Sequence, residues 1–129
     1  AIEAIARLVN AGIPMLSQTV LLKGINDNIE TLSQLMRLFV RHRIKPYYLH
    51  QGDLARGTSH FRTTIETGQA LMKQLRGRFS GLCQPTYVLD IPGGDGKGPL
   101  TADYVQATAA GNYQIEDYCN GLHDYPPTS

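Results

Sequence analysis

The chain has 129 residues, of which 12 are Lys or Arg and 11 are Asp or Glu, so its formal net charge is +1. This length suffices for one compact domain or for part of a larger one, and the balanced charge gives no general attraction to nucleic acid or to anionic membranes. No apolar run approaches the roughly 20 residues that a membrane-spanning helix needs, and no basic segment precedes an apolar run at the N-terminus. We therefore expect a cytoplasmic protein that binds neither nucleic acid nor membrane.

The first element is a helix that starts without a cap. The chain begins at Ala1, without Met, directly in a helical pattern of apolar residues, which suggests a piece cut from a longer protein. Gly12 stands where a C-terminal helix glycine is expected. The apolar run from Met15 to Leu22 then predicts a buried strand, and the turn-forming residues after it end in Asn28, which can cap the next helix.

Two further helices and strands follow. Apolar residues on one face predict a helix over 29–42, and an aromatic and apolar run predicts a strand over 46–50. Thr63 and Glu66 have the spacing of a capping box at the start of a third helix. A third strand is predicted over 86–90, before a glycine-rich segment.

The alternating order of helices and strands predicts an α/β fold. Crossover helices between strands are typical of a parallel sheet, here of about three strands. A complete eight-fold barrel needs about 250 residues, so we expect a partial (β/α) barrel. It would span residues 1–100, and residues 101–129 would form a C-terminal extension.

Two carboxylates stand where predicted strands end. Asp53 follows the second strand and Asp90 ends the third. The carboxyl ends of parallel strands meet at one edge of a sheet, and two carboxylates facing one cavity there would suit a cationic substrate. The alternative is that Asp53 caps a turn and Asp90 begins an Asx turn before Pro92.

One lysine lies in the glycine-rich segment. Lys97 follows Gly96, but a phosphate-binding Walker loop would need Gly where Ile91 stands and Ser or Thr where Gly98 stands. An amine on a flexible loop at this edge of the sheet can form an imine with an aldehyde cofactor. A solvated turn lysine is the alternative.

The cysteines and histidines give no metal-site signature. Cys83 and Cys119 are 36 positions apart, which encodes neither a disulfide framework nor a zinc or iron–sulfur site. His60 with Arg62 could contact an anion such as a cofactor phosphate, or could simply be solvated. None of the four histidines has the spacing of a metal-binding motif: His42, His50, His60 and His123. We expect no metal ligand within this chain.

Longer segments carry a family resemblance. The sequence resembles the C-terminal half of the lysine 2,3-aminomutase family, radical S-adenosylmethionine enzymes that also use pyridoxal phosphate. The resemblance runs in one register over about residues 16–104. The matching segments are QTVLLKGIND at 18–27, KPYYLHQGDL at 45–54, HFR at 60–62, LRG at 75–77, CQPT at 83–86 and DIPGGDGKGP at 90–99.

The resemblance implies roles for four residues. Lys97 matches the lysine that forms the internal aldimine with pyridoxal 5'-phosphate. Asp53 and Asp90 match the two aspartates that hold the side-chain ammonium of the substrate lysine. Gln18 is expected to face the S-adenosylmethionine site, although a buried glutamine packed against backbone would explain it almost as well. Residues 1–100 would then be the C-terminal part of a radical S-adenosylmethionine barrel.

The resemblance also implies a reaction. A reduced 4Fe–4S cluster cleaves S-adenosylmethionine, and the resulting radical removes a hydrogen from C3 of lysine, whose α-amino group then migrates to C3 to give β-lysine. The CxxxCxxC motif that holds the cluster is absent and is expected upstream of Ala1. This fragment alone is therefore not expected to catalyse, and the full-length protein is expected to be a homo-oligomer. Asn28 stands where some members have a zinc-binding cysteine, so no zinc is expected.

Two alternatives remain at this stage. A variant within the family makes β-lysine for the modification of elongation factor P, and the sequence does not separate that role from free β-lysine production. A non-catalytic remnant that binds a ligand without turnover is the second alternative. The sequence upstream of Ala1 would distinguish the remnant from an enzyme, because only the enzyme needs the cluster cysteines.

Overall fold

The computed structural model describes residues 1–52 and 59–127. Within these ranges the helices are α1 (Ile2–Asn10), α2 (Ile29–Arg41) and α3 (Ile65–Arg78), with short 3-10 turns at Ser59–Phe61 and Gly81–Cys83. The strands are β1 (Met15–Val20), β2 (Ile44–His50), β3 (Thr86–Asp90), β4 (Lys97–Pro99), β5 (Val105–Ala109), β6 (Asn112–Glu116) and β7 (Leu122–Tyr125). None of the helices in this part of the chain is both long and apolar enough to cross a bilayer.

The strands form two separate sheets. The first has the order β1-β2-β3-β4, with β1, β2 and β3 parallel and β4 antiparallel to β3. The second has the order β5-β6-β7 and is antiparallel throughout. The described residues thus form a small α/β unit with an open mixed sheet, followed by a three-stranded meander.

The prediction of a partial (β/α) barrel with a purely parallel sheet is wrong. The glycine-rich segment does not lead into a crossover; it turns the chain back, so that β4 pairs antiparallel with β3. Three glycines of this turn, Gly93, Gly94 and Gly96, have positive φ angles, and the Ile91 amide donates to the Gly96 carbonyl at 2.8 Å. A parallel pairing would need a crossover of about a dozen residues or more, whereas a hairpin needs only a short loop.

Local signals define the helix starts closely. The Asn28 side chain accepts a hydrogen bond from the Thr31 amide at 2.8 Å, as predicted for a cap. The cap of α3 is Thr64, which accepts from the Thr67 amide, and not Thr63 as the capping-box spacing predicts. Thr63 is buried and donates its hydroxyl to Gln51 instead. The buried hydrogen bond to Gln51 therefore decides the position of the Thr63 side chain, and the capping-box spacing does not.

The helices α2 and α3 cover one face of the first sheet. The core joins Leu49 and Tyr87 of the sheet to Leu32 of α2 and Leu75 of α3, and all four side chains are fully buried. Because side chains alternate between the faces of a strand, the neighbours of Leu49 and Tyr87 point to the other face. That second face carries the polar residues considered below.

The second sheet is attached to α3. Lys73 donates to Glu116 of β6 at 2.8 Å and to Asn120 at 2.5 Å. The Tyr118 ring lies directly against Gly77, so closely that a Cβ atom at residue 77 would overlap it. A glycine in the last turns of α3 thus lets the C-terminal segment approach the helix.

Candidate functional site

The candidate site lies on the face of the first sheet opposite α2 and α3. In the strand register, Gln18 pairs with Tyr48, Val20 with His50, and Asp90 with Lys97. Paired residues share one face, and His50 also pairs with Val88 of the same face as Asp90. Residues from four strands therefore point to one side of the sheet. Three of these residues, Val20, His50 and Asp90, end the parallel strands β1, β2 and β3.

The centre of the site is an ion pair between Lys97 and Asp90. The Lys97 Nζ atom lies 2.8 Å from Asp90 Oδ1, and the side chains are 38% and 57% exposed. The hydrogen bond from Lys97 lowers the pKa of Asp90, and the same bond raises the pKa of Lys97. The hairpin of β3 and β4 creates this pair, because it brings two residues seven positions apart to opposite places in the ladder.

A tyrosine and a histidine flank this ion pair. The Lys97 ammonium lies 5.8 Å from the centre of the Tyr48 ring, within the range of a cation–π contact. The hydrogen bond with Tyr47 raises the pKa of Tyr48, whereas the Lys97 charge acts in the opposite direction. The Tyr48 ring meets the His50 ring edge-on, with 5.7 Å between the ring centres.

His50 connects Gln18 with Asp90. Its Nε2 lies 3.2 Å from Gln18 Oε1, and since an amide oxygen only accepts, Nε2 carries the proton in this bond. Its Nδ1 lies 3.9 Å from Asp90 Oδ2, and its side chain is 12% exposed. Sequence reasoning tested His50 only as a metal ligand and missed this position. The signal was its place at the end of a strand, two residues after Tyr48.

Three of these residues, Gln18, His50 and Asp90, border a cavity of about 500 Å³. Its lining consists of Gln18, Val20, Leu22, His50, Gln51, Gly52, Phe61, Arg62 and Asp90. A volume of about 300–1,000 Å³ is usual for sites of small molecules and cofactors. The lining includes one acidic residue, Asp90, and one basic residue, Arg62.

A buried hydrogen-bond network supports one wall of the cavity. The Gln51 side chain donates to the Thr63 carbonyl at 2.6 Å and accepts from the Tyr87 hydroxyl at 2.5 Å. Burial, with a smaller contribution from the charge of Glu66, raises the pKa of Tyr87 to about 12. Tyr87 therefore remains a neutral hydrogen-bond donor at physiological pH.

Of the four residues predicted for the site, Gln18, Asp90 and Lys97 lie together on this face. Asp53 lies outside the described residues. The residues present fit an aldehyde cofactor such as pyridoxal phosphate, because a partly exposed primary amine is paired with Asp90, which lines a cavity of suitable volume. Within residues 1–52 and 59–127, no group of three or more His, Cys, Asp or Glu side chains could hold a metal ion.

Comparisons with known proteins relate this site to a family. Residues 72–126 match a family model described as Lysine-2,3-aminomutase. The chain is 39% identical over 125 residues to the L-lysine 2,3-aminomutase of Bacillus subtilis, covering 97% of this chain and 26% of that protein. It is 45% identical over 98 residues to the L-lysine 2,3-aminomutase of Clostridium subterminale, covering 76% of this chain and 24% of that protein. The chain belongs to the lysine 2,3-aminomutase family.

One relative of the chain carries a different substrate in its name. The chain is 42% identical over 103 residues to the Glutamate 2,3-aminomutase of Clostridioides difficile, covering 80% of this chain and 24% of that protein. The chain spans about a quarter to a third of the length of the curated relatives it matches. Membership of the lysine 2,3-aminomutase family therefore does not by itself decide whether the side chain of the substrate is cationic or anionic.

Proposed function

We propose that the protein containing this chain is an L-lysine 2,3-aminomutase, an isomerase that moves the α-amino group of lysine to C3 and forms β-lysine. The observation that carries the proposal is the Lys97–Asp90 pair beside the cavity. It supplies the two groups that such a reaction needs from this part of the protein. One is an amine that can hold an aldehyde cofactor, and the other is a carboxylate that can hold a cationic side chain.

Lys97 is proposed as the residue that holds pyridoxal phosphate. When bound, that cofactor supplies an electron sink for the migrating amino group. Lys97 stands on β4 next to a tight glycine turn, so its amine is presented from a short hairpin and not from a long loop. Arg62, which lines the same cavity, supplies positive charge suited to a phosphate group.

Asp90 and Asp53 are proposed to bind the side-chain ammonium of lysine. An ammonium group that leaves water loses solvation worth several kcal/mol, and ionised carboxylates can replace that solvation. The hydrogen bond from Lys97 keeps the pKa of Asp90 low, so that carboxylate is ionised at neutral pH. The ammonium group of Lys97 already lies 2.8 Å from Asp90, and this contact supports the proposed role.

The carboxylate favours lysine over glutamate. A glutamate side chain would bring a second negative charge towards the Asp90 carboxylate, and two carboxylates that share a site repel each other. The cations available among the described residues of the site are Lys97 and Arg62, and both are assigned here to the cofactor. The substrate proposed here is therefore the amino acid with a cationic side chain.

Gln18 is proposed to face S-adenosylmethionine. Its amide oxygen is held by His50, and the side chain lines the cavity near the carboxyl end of β1. The ligands of the 4Fe–4S cluster do not come from the described residues of this chain, and we assign them to a region upstream. Because the cluster is assigned to that region, the assay needs the full-length protein, which is proposed to be a homo-oligomer.

The experiment uses the full-length protein and has two readouts. After addition of pyridoxal phosphate and reduction with borohydride, peptide mapping by mass spectrometry is expected to find the adduct on Lys97. The Lys97→Arg variant keeps the charge but should lose the adduct, because a guanidinium group does not condense with the aldehyde under these conditions. With its other cofactors supplied anaerobically, the wild-type protein should convert L-lysine and not L-glutamate.

Two results would contradict the proposal. An adduct on another lysine in the wild-type protein, with Lys97 unlabelled, would remove the assigned role of Lys97. Conversion of L-glutamate in preference to L-lysine would remove the assigned role of Asp90. The two readouts fail separately, so each assignment is tested on its own.

A further inference from the structure

The carboxylate of Asp90 already has a cation. Lys97 Nζ sits on Oδ1 at 2.8 Å, and His50 Nδ1 faces Oδ2 at 3.9 Å. A second ammonium group cannot take the same place on Oδ1 while Lys97 remains there. On the proposed function, on which this inference rests, the substrate ammonium and the amine of Lys97 therefore compete for one carboxylate.

The surroundings hold Lys97 in its charged form. The Asp90 carboxylate accepts a hydrogen bond from the Lys97 ammonium at 2.8 Å, and the centre of the Tyr48 ring lies 5.8 Å from the same nitrogen. Among the described residues, the hydrogen bond to Asp90 contributes most to raising the pKa of Lys97, with smaller contributions from Tyr48 and Tyr47, and desolvation acts in the opposite direction. An amine that is to attack an aldehyde must first lose a proton, so it must leave this position.

We infer that Lys97 and the cationic end of the substrate exchange on Asp90, so that attachment of the cofactor to Lys97 opens the carboxylate to the substrate. In the attachment step, the Lys97 ammonium releases one proton to solvent. Its nitrogen then forms a bond to the aldehyde carbon, and the carbonyl oxygen leaves as water with the two remaining N–H protons. The residue then no longer carries an ammonium group, and the ion pair with Asp90 is broken.

The exchange predicts an order of binding and a reciprocal coupling. Cofactor attachment strengthens cation binding at Asp90, and by linkage a cation on Asp90 makes Lys97 easier to deprotonate and strengthens cofactor attachment. Before attachment, Lys97 keeps the carboxylate occupied and screens it from other cations. The ion pair thus makes the substrate site available mainly when the cofactor is in place.

The test measures cation binding without turnover. The probe is N,N-dimethylpentylammonium, which carries one positive N–H group and, as a tertiary amine, cannot condense with an aldehyde. Its dissociation constant is measured by calorimetry on the cofactor-free full-length protein and on the Lys97→Met and Lys97→Arg variants. We expect binding to Lys97→Met to be about two- to fivefold tighter than to wild type, the range of a partly exposed ion pair.

The controls separate charge from shape. Lys97→Arg keeps a cation on Asp90 and should bind the probe no more tightly than wild type. The double variant Lys97→Met with Asp90→Asn should lose the gain, because the carboxylate is gone. In the wild-type protein, loading with pyridoxal phosphate should tighten probe binding as Lys97→Met does, which gives a second measurement that needs no variant.

A spectroscopic readout checks the carboxylate directly. The titration midpoint of Asp90, followed by NMR of the labelled carboxyl carbon, should rise in Lys97→Met towards the ordinary value of an aspartate. It should remain low in Lys97→Arg. A merely structural role of Lys97 would not produce this difference between two variants of similar length.

The outcomes distinguish this inference from the proposed function. Equal or weaker probe binding in both Lys97→Met and the cofactor-loaded wild type would overturn the exchange, even if the cofactor labels Lys97. If the cofactor does not label Lys97 but Lys97→Met still tightens probe binding, the competition on Asp90 stands and the role assigned to Lys97 in the reaction falls.

Discussion

At the scale of single residues, the interior polar groups next to the cavity are paired. Tyr87, Gln51 and Thr63 come from three separate segments and satisfy one another in the core. Such a network fixes side-chain positions because an unpaired buried polar group costs about 1–3 kcal/mol. Gly68 makes room for it, since a Cβ atom there would overlap the Tyr87 ring.

Tyr87 gives a prediction about alkaline pH. In the unfolded chain the Tyr87 hydroxyl has its ordinary pKa of 10.0, whereas burial in the fold raises that pKa to about 12. Unfolding is therefore favoured progressively between these values, and the contribution of Tyr87 to the free energy of unfolding is lost as pH rises through that window. At neutral pH, Tyr87→Phe should lower this free energy by about 1 kcal/mol, because one hydrogen bond to Gln51 is removed.

The measurement is urea denaturation of the full-length protein from pH 8 to pH 12. The alkaline decline should be smaller in Tyr87→Phe than in wild type. Tyr113→Phe is the control, because the Tyr113 side chain is 41% exposed and should leave the pH profile unchanged. An identical alkaline decline in wild type and in Tyr87→Phe would contradict the assigned burial effect.

At the scale of elements, two attachments shape the molecule. The β3–β4 hairpin brings Asp90 and Lys97 together, and Lys73 of α3 holds the second sheet. Lys73 also lies 5.6 Å from the centre of the Tyr104 ring, at the start of the C-terminal segment. A single partly buried lysine thus contacts three parts of that segment.

Lys73 gives a prediction for the second sheet. Lys73→Met should loosen β6 and β7, because the ammonium that binds Glu116 and Asn120 is lost while the aliphatic stem remains. A loss of about 1 kcal/mol corresponds to amide hydrogen exchange about fivefold faster in these strands. Exchange measured by mass spectrometry should remain unchanged in β1, β2 and β3.

A matched control is available for this variant. Lys23 is an exposed lysine, and Lys23→Met removes the same charge without those contacts. Its exchange pattern in β6 and β7 should equal that of wild type. Uniformly faster exchange across both sheets in Lys73→Met would mean that the lysine stabilises the whole chain and not this attachment.

At the scale of the whole molecule, the residues that stabilise the fold and the residues of the candidate site lie on opposite faces of the first sheet. One face carries the apolar core with α2 and α3, and the other carries the ion pair and the cavity. Leu49 and His50 are adjacent in β2, and their side chains point to the core face and to the cavity face, respectively. Substitutions on the core face should therefore change stability more than ligand contacts.

Leu49 tests this division. Its side chain is fully buried in the core, and Leu49→Ala should lower the free energy of unfolding by about 2–5 kcal/mol through lost burial and a residual cavity. Leu82→Ala is the control, because Leu82 is 63% exposed and should cost less than about 0.5 kcal/mol. Urea denaturation gives both values, and equal losses for the two variants would contradict the core assignment.

Much of the local structure follows from the sequence by itself. The strand at 86–90, the helix from Ile29 and its Asn28 cap all agree with the structure, because periodicity and capping act between residues close in the chain. The family resemblance also rests on sequence alone, and the comparisons confirm it.

The tertiary structure alone decided the rest. The antiparallel return of β4, the position of His50 between Gln18 and Asp90, and the pairing of Thr63 with Gln51 depend on contacts between distant segments. A pattern along the chain specifies which face a residue occupies within its own strand. Which strand lies beside it depends on the turn geometry and on the burial of the whole sheet, and these determined the partner of Lys97.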